Sequence, residues 1–133
     1  VLVHDAARPL TPPQVTERVI DAVAGGAGAV IPVLPVTDTL KTVDASGVVV
    51  GTPRRSDMVA VQTPQGFRWD VLIRAHEAGA SLGADEARAD DAGLVEAIGG
   101  TVHTVVGDER SMKVTRPLDL ALAQILVAEE TSA

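Results

Sequence analysis

The stretch VLVHDAARPLTPPQVTERVIDAVAGGAGAVIPVLP, residues 1–35, decides the fold because it places a helix-like segment between two apolar runs. Val15, Val19 and Val23 recur every four residues, which predicts a helix with one buried stripe. Thr11 precedes this segment and is its predicted N-terminal cap. A strand-helix-strand unit of this kind joins parallel strands, so the stretch predicts an α/β protein.

The rest of the sequence continues this pattern and adds a hairpin. Residues 37–58 contain the turn Asp44-Ala45-Ser46-Gly47 between two β-rich runs, which predicts a protruding β-arm. Strands are predicted at MVAVQTPQGF, TVHTVV and MKVT, and helices at RWDVLIRAHEAGA, DDAGLVEAIGG and RPLDLALAQILVAEE. Asp90 or Asp91 is the predicted cap of the second of these helices. The predicted buried face of the last helix consists of Leu118, Leu122, Ile125 and Leu126. We therefore predict an α/β fold with a mostly parallel sheet and a β-arm.

Composition limits the classes of function. The chain has 133 residues, 46% of them hydrophobic, and a mean hydropathy of +0.23, which is typical of a globular domain. No apolar run approaches the roughly 20 residues that span a bilayer, so we predict no membrane partner. The absence of cysteine excludes disulfides and thiol nucleophiles and is compatible with the cytoplasmic location that we predict. A net charge of −7 argues against a nucleic-acid partner but permits a small phosphorylated substrate.

An acid and a base directly follow the first strand. In open α/β sheets ligands bind at the carboxyl ends of the strands, and Asp5 and Arg8 lie at such an end. Arginine can hold a phosphate, and aspartate can order the water shell of Mg²⁺ or a hydroxyl group. The residues alone leave open a second interpretation, in which Asp5 binds turn amides and Arg8 is solvated. Lys113 is either a second cation for phosphate or an exposed lysine.

The motifs VHDAARP, VTDTLK, QTPQGF, DDAGLVE and MKVTRPLDLALA occur in this order along the chain. Taken together they resemble the 2-C-methyl-D-erythritol 4-phosphate cytidylyltransferase family of non-mevalonate isoprenoid biosynthesis. The resemblance implies a Rossmann-like nucleotidyltransferase fold and the transfer of CMP from CTP to methylerythritol phosphate with Mg²⁺. It also implies a homodimer in which the β-arm embraces a second subunit.

The resemblance further implies roles for individual residues. Lys113 would position the attacking phosphate, and Arg55 of the arm would position that phosphate in the neighbouring subunit's site, so both are the implied catalytic residues. The implied substrate-binding residues are Asp5, Arg8, Thr39 and Thr63. Ala6 would lie close to the ribose of CTP, and no residue is assigned as a direct metal ligand.

Two departures from the family pattern affect this interpretation. Ala89 stands where the family commonly has threonine, which removes a hydroxyl group that could contact the substrate. The family's N-terminal glycine-rich loop, which binds the triphosphate, has no counterpart in residues 1–133. We therefore expect the chain to be the C-terminal part of a single cytidylyltransferase domain, lacking roughly 100 preceding residues and inactive alone.

Two other functions remain open at this point. The first is a cytidylyltransferase that acts on another polyol phosphate, such as ribitol 5-phosphate. The second is a non-catalytic dimerisation or substrate-binding module, for the chain as it stands.

Overall fold

The computed structural model describes residues 1–80 and 90–132, and one mixed sheet with a separate hairpin organises them. The strands are β1 (Leu2–Val3), β2 (Ala29–Pro35), β3 (Thr42–Val43), β4 (Val49–Gly51), β5 (Val59–Val61), β6 (Gln65–Phe67) and β7 (Val102–Val106). The helices are α1 (Pro13–Ala24), α2 (Trp69–Gly79), α3 (Asp91–Ala97) and α4 (Pro117–Ser132). The predicted α/β class is confirmed.

The main sheet is built around β2. It pairs in parallel with β7 at one edge, and at the other edge it pairs antiparallel with both β5 and β6. β6 in turn pairs antiparallel with β1, so β1, β2 and β7 share one direction and β5 and β6 run against them. The strands joined by α1 run in the same direction as predicted, but β6 lies between them. The prediction of a mostly parallel sheet is wrong, because within the described residues β2 and β7 form the one parallel pair of this sheet and its other three pairs are antiparallel. Pro64, which has no amide hydrogen to donate, separates β5 from β6, and the Thr63–Pro64 peptide bond is cis.

The helices cover the sheet through the apolar positions of their sequences. Val15 and Val19 of α1 are fully buried, as their spacing predicts. The predicted cap at Thr11 is wrong, because Pro12 takes the cap position and the Thr11 hydroxyl donates to the Arg8 carbonyl (3.1 Å). The main core cluster joins β2 and β6 to α2 and α3 through Ala29, Ile31, Phe67, Leu72, Ala75, Ala92 and Val95.

Two predictions near the end of the chain are wrong. Residues 112–115, the MKVT segment, form no strand, and Val114 instead donates one backbone hydrogen bond to Ala7 (2.7 Å). The predicted buried face of α4 is largely exposed: Leu118 is 76% exposed, Leu122 47% and Ile125 56%. Ala123, which follows Leu122 in α4, is buried instead. Apolar spacing shows that a face can be buried, but burial also needs a partner, and the described residues place none over these three side chains.

The predicted hairpin is present as a separate sheet of β3 and β4. One carboxylate oxygen of Asp44 accepts hydrogen bonds from the backbone amides of Ser46 (2.9 Å) and Val48 (3.0 Å), and Gly47 supplies a φ of +85°. The Ser46 hydroxyl and these amides hold the pKa of Asp44 below its usual value. The hairpin exposes the valines Val43, Val48, Val49 and Val50. The wider boundaries of the arm, 37–58, remain a prediction.

Candidate active site

The candidate site begins where β1 ends in a tight turn. The Arg8 amide donates to the Asp5 carbonyl (2.9 Å), and this turn fixes the direction of the Asp5 side chain. The Thr63 hydroxyl accepts from the Asp5 amide (3.0 Å) and contacts Nδ1 of His4 (3.0 Å). Thr63 lies beside the end of β1 because Gln65, two residues later, is paired with Val3 in the sheet. Asp5, Thr63 and His4 therefore meet at the carboxyl end of β1.

Lys113 reaches this turn from the segment that follows β7. Its ammonium group lies 2.9 Å from a carboxylate oxygen of Asp5, and the next residue, Val114, is hydrogen-bonded to Ala7. The hydrogen bond from Lys113, helped by the charges of Lys113, Arg8 and His4, holds the pKa of Asp5 below its usual value, and desolvation opposes this only in part. The Lys113 side chain is 49% exposed, so its ammonium group is both oriented by the protein and accessible to a ligand.

Arg8 faces inward. Its side chain is only 13% exposed, and its guanidinium donates to the carbonyls of Ser111 (2.6 Å) and Val61 (3.3 Å). Its Nε lies 3.8 Å from Asp5 and makes no hydrogen bond among the residues that the structure describes. Arg8 thus connects the β1 turn to β5 and to the segment that carries Lys113.

The opposite wall consists of the start of α3 and β6. Asp90 caps α3 by accepting from the Gly93 amide (2.8 Å), which confirms the predicted cap. Its second oxygen accepts from the side-chain Nε2 of the buried Gln65 (2.7 Å). The side-chain Oε1 of Gln65 accepts from the Ala92 amide (3.2 Å). Asp91 contacts Nε2 of His76 on α2 (2.6 Å).

A cavity of about 240 Å³ lies among these groups at the carboxyl end of β1. It is lined by Val3, His4, Asp5, Thr63, Gln65, Asp90, Asp91 and Lys113. One lysine and one histidine thus face three carboxylates. Such a site can orient an ammonium group toward a phosphate and can bind sugar hydroxyls, but on its own it has too little positive charge for a dianion.

Four sequence-predicted residues lie outside this cavity lining. Ala6 is exposed within the β1 turn, and Thr39 is exposed near the start of the hairpin. Arg55 is exposed at the base of the hairpin, where its guanidinium donates to the Thr37 carbonyl (3.0 Å). Arg8 lies behind the Asp5 turn. Ala89 falls outside the described residues.

Wider grooves occur elsewhere among the described residues, and they contain none of the sequence-predicted site residues. One of about 640 Å³ lies at the amino ends of β2 and β7, beside Arg74 and His103. Another, of about 560 Å³, lies next to the start of α1, where Arg110 is already paired with Glu130 (2.7 Å). The smaller cavity is the candidate site, because its groups come from four separate parts of the chain and include the sequence-predicted Asp5, Thr63 and Lys113.

Sequence reasoning missed the two glutamines of QTPQGF. Gln62 and Gln65 are 5% and 3% exposed, and both side chains bond to segments far away in sequence. The signal that could have found them is two polar side chains inside an otherwise apolar strand, since buried amides need partners. The positions of Gln62 and Gln65 in the sequence do not show which residues their side chains contact.

Comparisons with known proteins agree with this fold. A curated 2-C-methyl-D-erythritol 4-phosphate cytidylyltransferase from Rhodococcus jostii is 57% identical over 97% of this chain and 55% of its own length. The crystal structure of the enzyme of that name from Thermus thermophilus is 41% identical, with a TM-score of 0.79 over 95% of this chain and 60% of that one. A 4-diphosphocytidyl-2C-methyl-D-erythritol synthase from Anaerococcus prevotii has a TM-score of 0.85 at 28% identity, over 96% of this chain and 58% of that one.

The fold of the chain is thus the Rossmann-like fold of this class of nucleotidyltransferases. The model of the IspD family, 2-C-methyl-D-erythritol 4-phosphate cytidylyltransferase, matches residues 1–129. The chain belongs to this family. It spans about 55% of the length of the Rhodococcus relative that it matches.

Proposed function

We propose that the complete protein transfers CMP from CTP to 2-C-methyl-D-erythritol 4-phosphate in non-mevalonate isoprenoid biosynthesis. One observation carries the proposal. In a chain that matches this family over residues 1–129, an accessible lysine, Lys113, is held on Asp5 at the carboxyl ends of the strands. This is where ligands bind in open α/β sheets.

The reaction needs little covalent chemistry from the protein. An oxygen of the methylerythritol phosphate attacks the α-phosphorus of CTP, the bond to the β-phosphate breaks, and pyrophosphate leaves. Both reactants are anions that repel each other, so cations must hold them in line. Lys113 is the cation that this cavity supplies, and Asp5 and Thr63 are proposed to order the site and bind the substrate. Arg8 is proposed to order the site from behind, since carbonyl oxygens occupy its guanidinium.

A divalent cation, Mg²⁺, is proposed as the cofactor. Within residues 1–80 and 90–132 no group of three or more His, Cys, Asp or Glu side chains could hold a metal ion. Mg²⁺ fits such a site when substrate phosphates provide most of its ligands, and Asp5 would order its water shell. When bound, the ion neutralises phosphate charge. We assign no side chain as a direct metal ligand.

The remaining positive charge is proposed to come from a second copy of the chain. The hairpin exposes a row of valines, which favours burial against a partner. Arg55, at the base of the hairpin, does not line its own chain's cavity. We propose a homodimer in which the arm embraces the partner and Arg55 contacts the phosphate in the partner's site. Thr39 and Ala6 are proposed to contact methylerythritol phosphate and the CTP ribose, respectively.

The ligands of this site are proposed to be small molecules. A net charge of −7 disfavours contact with a nucleic-acid backbone. Among the described residues, no helix is long and apolar enough to cross a bilayer. We propose a cytoplasmic location and no membrane partner.

The experiment is an assay of pyrophosphate release by the complete protein with CTP and Mg²⁺. Methylerythritol phosphate and ribitol 5-phosphate are supplied in parallel, and each is also tested without enzyme. We expect release with methylerythritol phosphate and at most trace release with ribitol 5-phosphate. The reverse preference would overturn the substrate, and no release with either would favour a non-catalytic binding or dimerisation module.

A further inference from the structure

Gln62 is a buried side chain to which the proposed reaction assigns no role. It directly follows β5, and its backbone amide extends the pairing with β2 by donating to Pro32 (2.8 Å). Its side-chain Nε2 donates to the Asp108 carbonyl (2.8 Å), and its Oε1 accepts from the Asp108 amide (3.0 Å). The side-chain amide of Gln62 thus uses both its donor and its acceptor on one residue, Asp108.

That segment, residues 107–113, carries Lys113. Asp108, its second residue, caps its short 3-10 turn by accepting from the Arg110 amide (2.8 Å). The turn ends at Ser111, whose carbonyl accepts from Arg8 (2.6 Å), and Lys113 follows two residues later. The segment is therefore fixed to the sheet at its start by Gln62 and just before the lysine by Arg8.

Close packing at Gly107 leaves the Gln62 amide little freedom. The Gly107 amide donates to the Val33 carbonyl (2.9 Å), on the opposite edge of β2 from Gln62. A Cβ atom added to Gly107 would collide with the side-chain oxygen of Gln62. The Gln62 side chain therefore lies across β2 against Gly107 and joins the two strands that flank β2.

We propose that Gln62 is a positioning residue for Lys113, acting through the backbone of Asp108. The role requires a donor and an acceptor at the spacing of one amide, buried where water cannot replace them. When that amide is lost, the start of the 107–113 segment is released and the Lys113 ammonium moves relative to Asp5. This inference rests on the proposed function for its effect on rate, but its structural consequence can be measured separately.

A double-mutant cycle separates positioning from a general loss of fold. Pyrophosphate release is measured for the complete wild-type protein, Gln62→Met, Lys113→Ala and the double variant. We expect Gln62→Met to lower kcat by about tenfold or more when Lys113 is present, because small misplacements of a reacting group are costly. In the Lys113→Ala background we expect a change of less than about twofold, since the residue through which Gln62 acts is gone. Equal losses in both backgrounds would overturn the proposal.

Two further variants keep the test decisive. Gln14→Met removes an exposed glutamine of α1 outside the site, and its kcat should match that of the wild type. If Gln62→Met fails to fold, Gly107→Ala replaces it in the cycle, because its added Cβ displaces the same amide. Additive losses with Gly107→Ala would overturn the proposal equally.

A readout that needs no activity distinguishes this inference from the proposed function. Lys113, Arg8 and His4 lower the pKa of the Asp5 carboxyl, with the Lys113 hydrogen bond as the largest influence, and the carboxylates of Asp90 and Asp91 line the same cavity. NMR titration of carboxyl-labelled aspartate should show the pKa of Asp5 rising toward its usual value in Gln62→Met. If the wild type releases no pyrophosphate, the proposed function fails and this titration still decides the inference. An unchanged pKa of Asp5 would contradict it.

Discussion

At the scale of single residues, the site depends on the contact between Asp5 and Lys113. The sequence placed Asp5 at a strand end and left Lys113 as either a ligand for phosphate or an ordinary surface lysine. The structure places its ammonium group 2.9 Å from Asp5, at a cavity that Thr63 also lines. A contact across more than 100 residues of sequence could not be read from spacing, whereas the position of Asp5 followed from the strand that precedes it.

The first prediction concerns Asp5→Asn, which keeps the shape of the side chain and removes its charge. Turnover of methylerythritol phosphate should fall by about 10- to 100-fold, because Lys113 loses the partner that orients it. Steady-state kinetics measure this, and Asp21→Asn, on the exposed side of α1, is the matched control. Turnover of Asp5→Asn within about twofold of the wild type would contradict the role.

The pH dependence of stability gives a second prediction at the same residue. The pKa of Asp5 is lowered in the folded protein, so its charged form is favoured there. This contribution to stability is fully present above the usual range of aspartate, about pH 4, and disappears as the pH falls through the lower folded value. Denaturant unfolding should show wild type more stable than Asp5→Asn at neutral pH, with the difference shrinking below about pH 4. A constant difference would contradict the ion pair.

At the scale of elements, most local signals were read correctly, although Pro12 rather than Thr11 caps α1, and the long-range contacts were not predicted. The α3 cap followed from Asp90 standing before a helical pattern, and the hairpin turn followed from Gly47. The buried face of α4 and the MKVT strand were wrong, because the residues that would pair with or cover a segment are set by tertiary structure. The partnership of Gln65 with Asp90 spans 25 residues and has no local signature.

The third prediction tests that partnership with Gln65→Glu. The new carboxylate would face an oxygen of Asp90 at the position where Nε2 now donates at 2.7 Å. The folded protein should lose about 1–3 kcal/mol at neutral pH, the range for a buried group deprived of its partner. Folding raises the pKa of the introduced carboxyl, so the loss should be smallest below about pH 4 and should grow as the pH rises.

Chemical denaturation across this pH range measures the effect, and Gln14→Glu adds the same charge at an exposed position as a control. A loss for Gln65→Glu that does not depend on pH would show that the contact with Asp90 is not its cause.

At the scale of the whole molecule, the sequence predicted the α/β class and the family, and the fold confirms both. The chain's share of its relatives' length, about 55% for the Rhodococcus protein, makes the activity of the complete protein a proposal. The cavity sets one lysine and one histidine against three carboxylates, so the proposed binding of phosphates needs further cations, which the proposed second subunit would bring with its hairpin.

The fourth prediction concerns the arm. Val49→Asp should weaken the proposed homodimer about tenfold or more, since burial of a valine side chain contributes roughly 1.5–3 kcal/mol. Sedimentation equilibrium of the complete protein measures the shift toward monomer, with Ile20→Asp on α1 as a control for an added surface charge. A dimer equally stable in Val49→Asp would show that the arm is not its interface.

The central claim is that Lys113 holds the attacking phosphate. It is tested most directly by the rate of pyrophosphate release from CTP and methylerythritol phosphate by the complete Lys113→Ala protein. The rate should fall by roughly 100- to 1,000-fold, equivalent to about 2.7–4 kcal/mol of lost transition-state stabilisation. Arg74→Ala, which removes an exposed cation of α2, should leave the rate unchanged. A Lys113→Ala rate within about threefold of the wild type would contradict the account.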